Sequence, residues 1–428
     1  MKLLKKDWLA ILAIGLFVLL FFKPVIAGDG FGYYTLLEGM GRDGTINLQN
    51  QLHYNQASGG ETVFYYEKTG IYSTQYAPGF GLLAMPLYKI TLWLDDFSLF
   101  HIQDSFFLAE RGDILIHMLS VALTSLVFVA VAIAIAFYLL KKLGFEKQAW
   151  LAVLLGFFGS PLIRYATYDL SYTHAVEAGL LAIALFLFFE KKPAWLIGFV
   201  LGIMTLVRYS SALFAVPFIL YWLWKNNRAD SIKLVAGALP FGLLLLAYFA
   251  VAYGSPFISS YQASGSLENN FSLPIHFLNV LFSLSADPAG LFWWTPLVVL
   301  SFVGLLKWSD ERKWVLTGLF VVLLIVTSMS YKGTTGFSFS HRYFAALFVP
   351  IIIGLAVLLK NAKWRKPLIA LGCYTVLLFF LHLAGVDFYN GFPSLPEVYR
   401  FWIVEGNLPR LPELLFNKLG IVRLVLLK

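Results

Sequence analysis

Charge is what this sequence has least of. Only 13% of its 428 residues are Asp, Glu, Lys or Arg, while 59% are hydrophobic. A water-soluble surface needs roughly 25% charged residues, so a chain of this size cannot dissolve as two ordinary globular domains. Lipid is the remaining solvent. Cysteine is almost missing too. The single Cys373 excludes an intrachain disulfide and any Cys-His metal spacing, and its place in an apolar run reads as a small buried residue. There is no Gly-x-x-x-x-Gly-Lys-Ser/Thr loop, no Gly-x-Gly-x-x-Gly after a strand and no His-Glu-x-x-His, which argues against ATP, NAD and zinc-protease chemistry. Heptads and internal repeats are absent, as are the inverted halves that many transporters carry.

What the sequence has is long apolar runs. Several reach about 18 residues, enough to cross roughly 30 Å of hydrocarbon as helices. They are continuous, as in Val121 to Leu140, whereas the strands of membrane barrels alternate apolar and polar residues. The expected fold is therefore an all-α polytopic membrane protein. The first run, Trp8 to Ile26, is long and is followed by no convincing small-x-small cleavage site, so it reads as a span and not as a signal peptide. Further spans read at 114–140, 148–163, 172–189, 194–208, 209–224, 232–253, 289–306, 314–330, 343–359 and 367–384, which makes about eleven crossings. Those near 148–163 and 194–208 are short, as tilted hairpins or broken helices would be.

An N-terminus in the cytoplasm predicts which loops should be basic. The inner segments would hold Lys2, Lys5 and Lys6; Lys141, Lys142 and Lys147; Lys191 and Lys192; Lys225, Arg228 and Lys233; Lys307, Arg312 and Lys313; and Lys360, Lys363, Arg365 and Lys366. Acidic residues outnumber basic ones in the rest of the chain. The net charge of +8 is thus a topology signal, and no nucleic-acid partner is expected. Residues 1–384 form one transmembrane module, with 27–112 as a long first external loop. A second external region runs from Gly254 to about Ala289. Residues 385–428 form an external tail, whose end, Leu411 to Lys428, suits the membrane surface. The aromatic-rich first loop holds an apolar stretch, Pro78 to Leu94, which Pro86 and Lys89 break and which reads as interfacial or re-entrant.

Charged groups near membrane depth are costly and need a reason. Asp29 lies just beyond the first span, in Ala27-Gly28-Asp29-Gly30-Phe31-Gly32-Tyr33-Tyr34. Glycines on both sides leave its carboxylate uncrowded, as a general base requires. An aspartate there also serves as a helix N-cap, and spacing alone does not separate the two roles. Tyr33, Tyr34 and Tyr76 can stack on sugar rings or anchor the chain at the headgroups. Arg164 to His174 is a polar patch that holds Asp169, and Glu177 in the next span needs a partner such as Arg164 or Arg208. Lys332, His341 and Arg342 cluster between two spans, where they suit a phosphate or snorkel to the headgroups.

The order of these features resembles the polytopic glycosyltransferases of the GT-C superfamily, which includes protein O-mannosyltransferases and the aminoarabinose transferase of lipid A. The resemblance covers most of the chain. It runs from Asp29 and the long first loop through Tyr76-Ala77-Pro78-Gly79-Phe80, Ser160-Pro161-Leu162 with Tyr165, the Ser171 to His174 patch, and Gly202 to Arg208. It continues with Tyr253-Gly254-Ser255-Pro256-Phe257, Gly290-Leu291-Phe292 with Pro296, and Phe339-Ser340-His341-Arg342-Tyr343 with Pro350. Two positions depart from it: Gly30 follows Asp29 where many relatives carry an Asp-Glu pair, and Ser340 stands where many have glycine. The resemblance implies inverting transfer of a sugar from a polyprenyl-phosphate donor, on the outer face, to a hydroxyl of a glycan, lipid or protein acceptor. Asp29 would be the base. Arg208, Arg342, His341, Lys332 and His174 would hold the donor phosphate, and Tyr33, Tyr34, Tyr76 and Asp169 would line the substrates. No cofactor is required, and a divalent metal held by Asp29 with Glu38, Asp43 and Asp169 stays open. The rival readings are a flippase or transporter of lipid-linked sugars, a polysaccharide polymerase or ligase, and a non-enzymatic assembly subunit.

Overall fold

The computed structural model of the protein describes residues 4–24, 26, 28–55, 62–96, 115–265, 284–285, 290–328, 339–385 and 394–419. It is mostly helical, as the uninterrupted apolar runs require. The longer helices are α1 (Lys5–Phe21), α2 (Gly30–Glu38), α3 (Gly79–Asp96), α4 (Leu115–Lys142), α5 (Ala149–Phe158), α6 (His174–Phe189), α7 (Ala194–Val207), α8 (Ala215–Trp224), α9 (Arg228–Tyr253), α10 (Pro296–Lys307), α11 (Lys313–Ser328), α12 (Phe348–Leu359) and α13 (Ala362–Gly385). Among the described residues four helical stretches are long and apolar enough to cross a membrane: His117–Lys142, Arg228–Tyr253, Arg342–Leu359 and Ala362–Gly385. A helix bordering water turns polar side chains outward. The second of these stretches instead exposes Ile232, Val235, Leu239, Leu243 and Val251, a surface suited to lipid.

The short runs are broken where charged residues must turn inward. α5 stops at Phe158, and a turn through Ser160 and Pro161 leads to the single helical turn Leu162–Tyr165. α7 stops at Val207 because Arg208 is extended (φ −156°, ψ 122°), and a 3-10 turn, Tyr209–Phe214, then leads into α8. A second 3-10 turn, Arg342–Leu347, leads into α12. Helices approach closely where side chains are missing, as membrane bundles do. A Cβ on Gly304 of α10 would lie 2.1 Å from the Gly354 carbonyl oxygen of α12.

Several expectations are amended. The stretch after Pro78 is one helix, α3, which runs through Pro86 and Lys89 without a break. Its Lys89 Nζ donates to the Gly41 carbonyl, so this cation ties α3 to the turn after α2. The first loop also contains an antiparallel hairpin, β1 (Phe64–Tyr66) with β2 (Ile71–Ser73), so the fold is mostly helical and not purely so. Cys373 is exposed on the outer face of α13, while its neighbour Gly372 faces inward. The tail folds back on α13: Trp402 is buried and its Nε1 donates to the Leu381 carbonyl at 3.0 Å. Lys332 and the last nine residues of the tail lie outside the described residues.

The basic segments meet one another. Lys141 pairs with the buried Asp7, and Lys142 with Glu190. Lys225 pairs with Glu311. Lys360 lies 4.4 Å from the Phe145 ring, Lys307 5.6 Å from the Trp364 ring and Arg312 4.6 Å from the Phe189 ring. Segments scattered from residue 7 to residue 364 thus share one region, at the start of α1 and α7 and at the end of α4, α6 and α12.

Candidate active site

The opposite ends of α1, α6, α7 and α12 carry the other charged cluster. Asp29 occupies the N-cap position of α2, yet its side chain makes no capping hydrogen bond. Its Oδ2 instead lies 2.8 Å from Nη1 of Arg342, and its Oδ1 accepts from the Tyr76 hydroxyl at 3.1 Å. The N-cap alternative therefore gives way to a tertiary contact. Burial first, and then the Asp29 carboxylate, push the Tyr76 phenol up, so it remains a donor to that carboxylate.

Glycines permit this meeting. A Cβ on Gly32 would lie 1.8 Å from Cδ2 of Tyr76, and one on Gly30 would lie 2.1 Å from Oγ of Ser171. Only hydrogen fits there, so the start of α2 seats directly on the Tyr76 ring and on the loop before α6. Gly32→Ala must push the Tyr76 ring away. Overpacking of this kind costs about 1–3 kcal/mol, read as a lower thermal midpoint of the detergent-solubilised protein. An unchanged midpoint would mean that the two segments part freely.

Arg208 supplies the second cation. The break after α7 frees its side chain from the helix, and its guanidinium stacks 3.9 Å from the centre of the Tyr343 ring, a contact worth about 0.5–2 kcal/mol. Its Nη1 donates to Oε2 of Glu177 at 3.3 Å and lies 3.3 Å from Nδ1 of His174. Ser211 donates to the other Glu177 oxygen at 2.6 Å. Arg342 flanks the same Tyr343 ring at 5.6 Å and the Tyr172 ring at 5.8 Å. Two guanidiniums, one held by a buried carboxylate and one by Asp29, thus share a tyrosine-lined site. No family model, curated protein or solved structure matches this chain. The geometry alone must therefore carry the reading of the site.

Most residues singled out in the sequence converge here. Asp29, Arg342, Arg208, His174 and Tyr76 are in contact as described, and Tyr33 joins them, its ring 4.9 Å from that of Tyr76. Tyr34 points the other way: it is fully buried, with its ring 5.7 Å from Tyr54 and 6.2 Å from Tyr88. Asp169 is taken by Arg164, whose guanidinium also reaches His382. His341 is buried, and neither ring nitrogen has a hydrogen-bond partner among the described residues. Burial, and then the nearby Arg342 and Arg208, push its ring down to about 3. It is neutral at physiological pH and can serve only as a hydrogen-bonding group. Ser340 before it has a left-handed backbone (φ +55°) and shares a 2.7 Å hydrogen bond with Thr295. That turn brings Arg342 to the start of its 3-10 helix.

Glu38 pairs with Arg42, and Asp43 accepts from Asn50 and Gln51. Among the described residues no three His, Cys, Asp or Glu side chains converge as a metal site. Sequence reasoning left Glu177, Ser211, Tyr172 and Tyr343 out of the site. Glu177 gave a signal, a carboxylate within an apolar run. Tyr172 and Tyr343 lie within the quoted motifs but look no different there from the many other tyrosines.

Proposed function

We propose that this chain is a multi-pass membrane glycosyltransferase that moves a sugar from a polyprenyl-phosphate donor to an acceptor hydroxyl, with inversion, on the side of the membrane away from its basic loops. The observation that carries this reading is the contact of Asp29 with Arg342, beside Arg208, in a tyrosine-lined site. A carboxylate next to two guanidiniums is what displacement at a sugar carbon bearing a phosphate requires. The acceptor oxygen attacks C1 while its proton passes to Asp29. The bond from C1 to the phosphate oxygen breaks through an oxocarbenium-like state. Its electron pair stays on the phosphate, whose charge Arg342 and Arg208 stabilise. A phosphate is a weakly basic leaving group and needs cations more than an acid. Tyr33, Tyr76, Tyr172 and Tyr343 offer rings for the sugar.

The topology in this reading has about eleven crossings, a cytoplasmic N-terminus and Asp29 outside. It is supported by the way α1, α6, α7 and α12 each join the basic cluster at one end and the Asp29–Arg208–Arg342 cluster at the other. At 1.5 Å per residue the 17 residues of α1 and the 16 of α6 give about 24–26 Å against roughly 30 Å of hydrocarbon, and 3-10 turns at the site end lengthen α7 and α12. The positive-inside tendency then puts the basic cluster in the cytoplasm, and the site outside. The similarity in motif order to GT-C enzymes agrees with this arrangement.

The test is a screen of radiolabelled polyprenyl-phosphate sugars with the purified protein in detergent. Labelled sugar appearing on an acceptor supports the reading. Movement of lipid-linked sugar across liposomes with no transfer overturns it in favour of a flippase. Within an active preparation, Arg342→Ala should raise the apparent dissociation constant for the donor roughly ten- to a hundredfold, the cost of a charged hydrogen bond. An unchanged value would remove Arg342 from the phosphate site.

A further inference from the structure

One basic segment differs from the others. Lys141 and Lys142 pair with Asp7 and Glu190, Lys225 with Glu311, Lys233 with Asp230 and Arg312 with Asp310. Lys363, Arg365 and Lys366 lie at the start of α13, are exposed, and form no ion pair among the described residues. No acidic residue occurs in the sequence between Glu311 and Asp387. The first turn of a helix favours acids and disfavours cations, so three unpaired cations there make a strong attractor for anions. Below this turn the outer face of α13 is apolar. Ile369, Tyr374 and Leu377 are 37%, 37% and 50% exposed and Cys373 is exposed between them, whereas Leu368 and Gly372 are buried. Counted from Lys366, the exposed residues recur every three or four positions, so they form one stripe headed by the cations. From Lys366 to Leu377 the helix rises about 16 Å at 1.5 Å per residue, close to half of a roughly 30 Å hydrocarbon core. The stripe thus has the length of one leaflet. Trp364 sits among the cations, as an aromatic at the headgroup level does.

We propose that the start of α13 binds an anionic phospholipid from the leaflet at the basic end of the molecule, with the headgroup phosphate on Lys363, Arg365 and Lys366 and an acyl chain along Ile369, Cys373 and Leu377. Basic side chains at the edge of the hydrocarbon attract negative headgroups, and guanidinium and ammonium groups donate charge-assisted hydrogen bonds to phosphate oxygens. The stripe supplies an apolar bed for the chain, which a free anion would not use. The other basic segments spend part of their charge on neighbouring acids, whereas this one keeps all of it for a ligand. The surface stands apart from the Asp29 cluster, and the proposal does not depend on sugar transfer.

The experiment uses Cys373, the single cysteine of the chain, as a reporter on the stripe. The full-length protein carries a maleimide fluorophore there and is reconstituted in phosphatidylcholine vesicles. A minor fraction of the lipid is either phosphatidylglycerol or phosphatidylcholine brominated in mid-chain. Cys373 lies about 10 Å along the helix from Lys366, near the depth of the bromines, so quenching reports a chain lying on the stripe. The expected result is a roughly five- to tenfold preference for phosphatidylglycerol. The triple variant Lys363→Gln, Arg365→Gln, Lys366→Gln should lose that preference. The triple variant Lys147→Gln, Lys191→Gln, Lys192→Gln, which removes the same charge from two other basic turns, should keep it. Equal quenching by the two lipids in wild type overturns the proposal, and this comparison holds even if a variant fails to fold. Equal loss in both variants also overturns it, because the general positive field of that end then accounts for the preference. Loss of the preference on adding glycerol phosphate overturns it as well, since the ligand would then be a free anion.

Discussion

Asp29→Asn is expected to lower sugar transfer by roughly 10²–10⁴-fold, the range that a general base contributes, while the protein still folds and still binds donor. The amide matches the carboxylate in shape; its oxygen can accept from Arg342 while its NH2 donates to the Tyr76 hydroxyl oxygen, so the packing around Asp29 is kept. What it cannot do is take a proton at neutral pH. The rate is followed as transfer of labelled sugar under saturating donor, with size-exclusion and thermal unfolding as controls on folding. Turnover close to wild type would show that another group removes the proton. Among the described residues the nearest titratable alternatives are poorly suited. Glu177 is buried and already held by Arg208, Ser211 and His174, and the Tyr76 phenol is pushed up.

The second large effect concerns a residue that the motif order implied for substrate binding. Asp169 pairs with Arg164, and the two side chains are 8% and 5% exposed. The same guanidinium reaches His382 of α13 and lies 5.7 Å from the Tyr168 ring, and Tyr168 in turn accepts a hydrogen bond from Lys23 at 2.7 Å. The network ties the end of α1, the loop before α6 and α13 together. Asp169→Ala strips the buried guanidinium of this counter-charge, and breaking such a pair costs about 3–5 kcal/mol. The expected result is a large fall in thermal midpoint, or loss of folded protein on expression. A residue that bound substrate would instead leave the midpoint alone and raise the KM for donor or acceptor. That outcome would return Asp169 to the site.

The hairpin in the first loop is legible in the sequence. Phe64-Tyr65-Tyr66 and Ile71-Tyr72-Ser73 are short aromatic and β-branched runs joined by Glu67-Lys68-Thr69-Gly70, with Gly70 at φ +69°, which is an ordinary hairpin signal. Ser340 is the opposite case. Its left-handed backbone cannot be inferred from serine, which rarely adopts it. The resemblance that puts glycine there was the one hint of a tight turn.

Composition and periodicity by themselves determined the solvent, the helical class and the rhythm of basic loops. Those properties are sums over many residues, and no single neighbour can reverse them. They also marked Asp29, Arg208 and Arg342, because a charge at the end of an apolar run is conspicuous without any structure. Only the tertiary structure decided which acid meets which base: Asp29 with Arg342, Glu177 with Arg208, Asp169 with Arg164. It also decided that Tyr33 faces the site while Tyr34, one residue on, is core. The reason is geometric. One step along a helix turns a side chain by about 100°, and ion pairs form only within a few ångströms. Pairing therefore depends on the rotation and register of helices far apart in the chain, which interlock through bare glycines and left-handed turns.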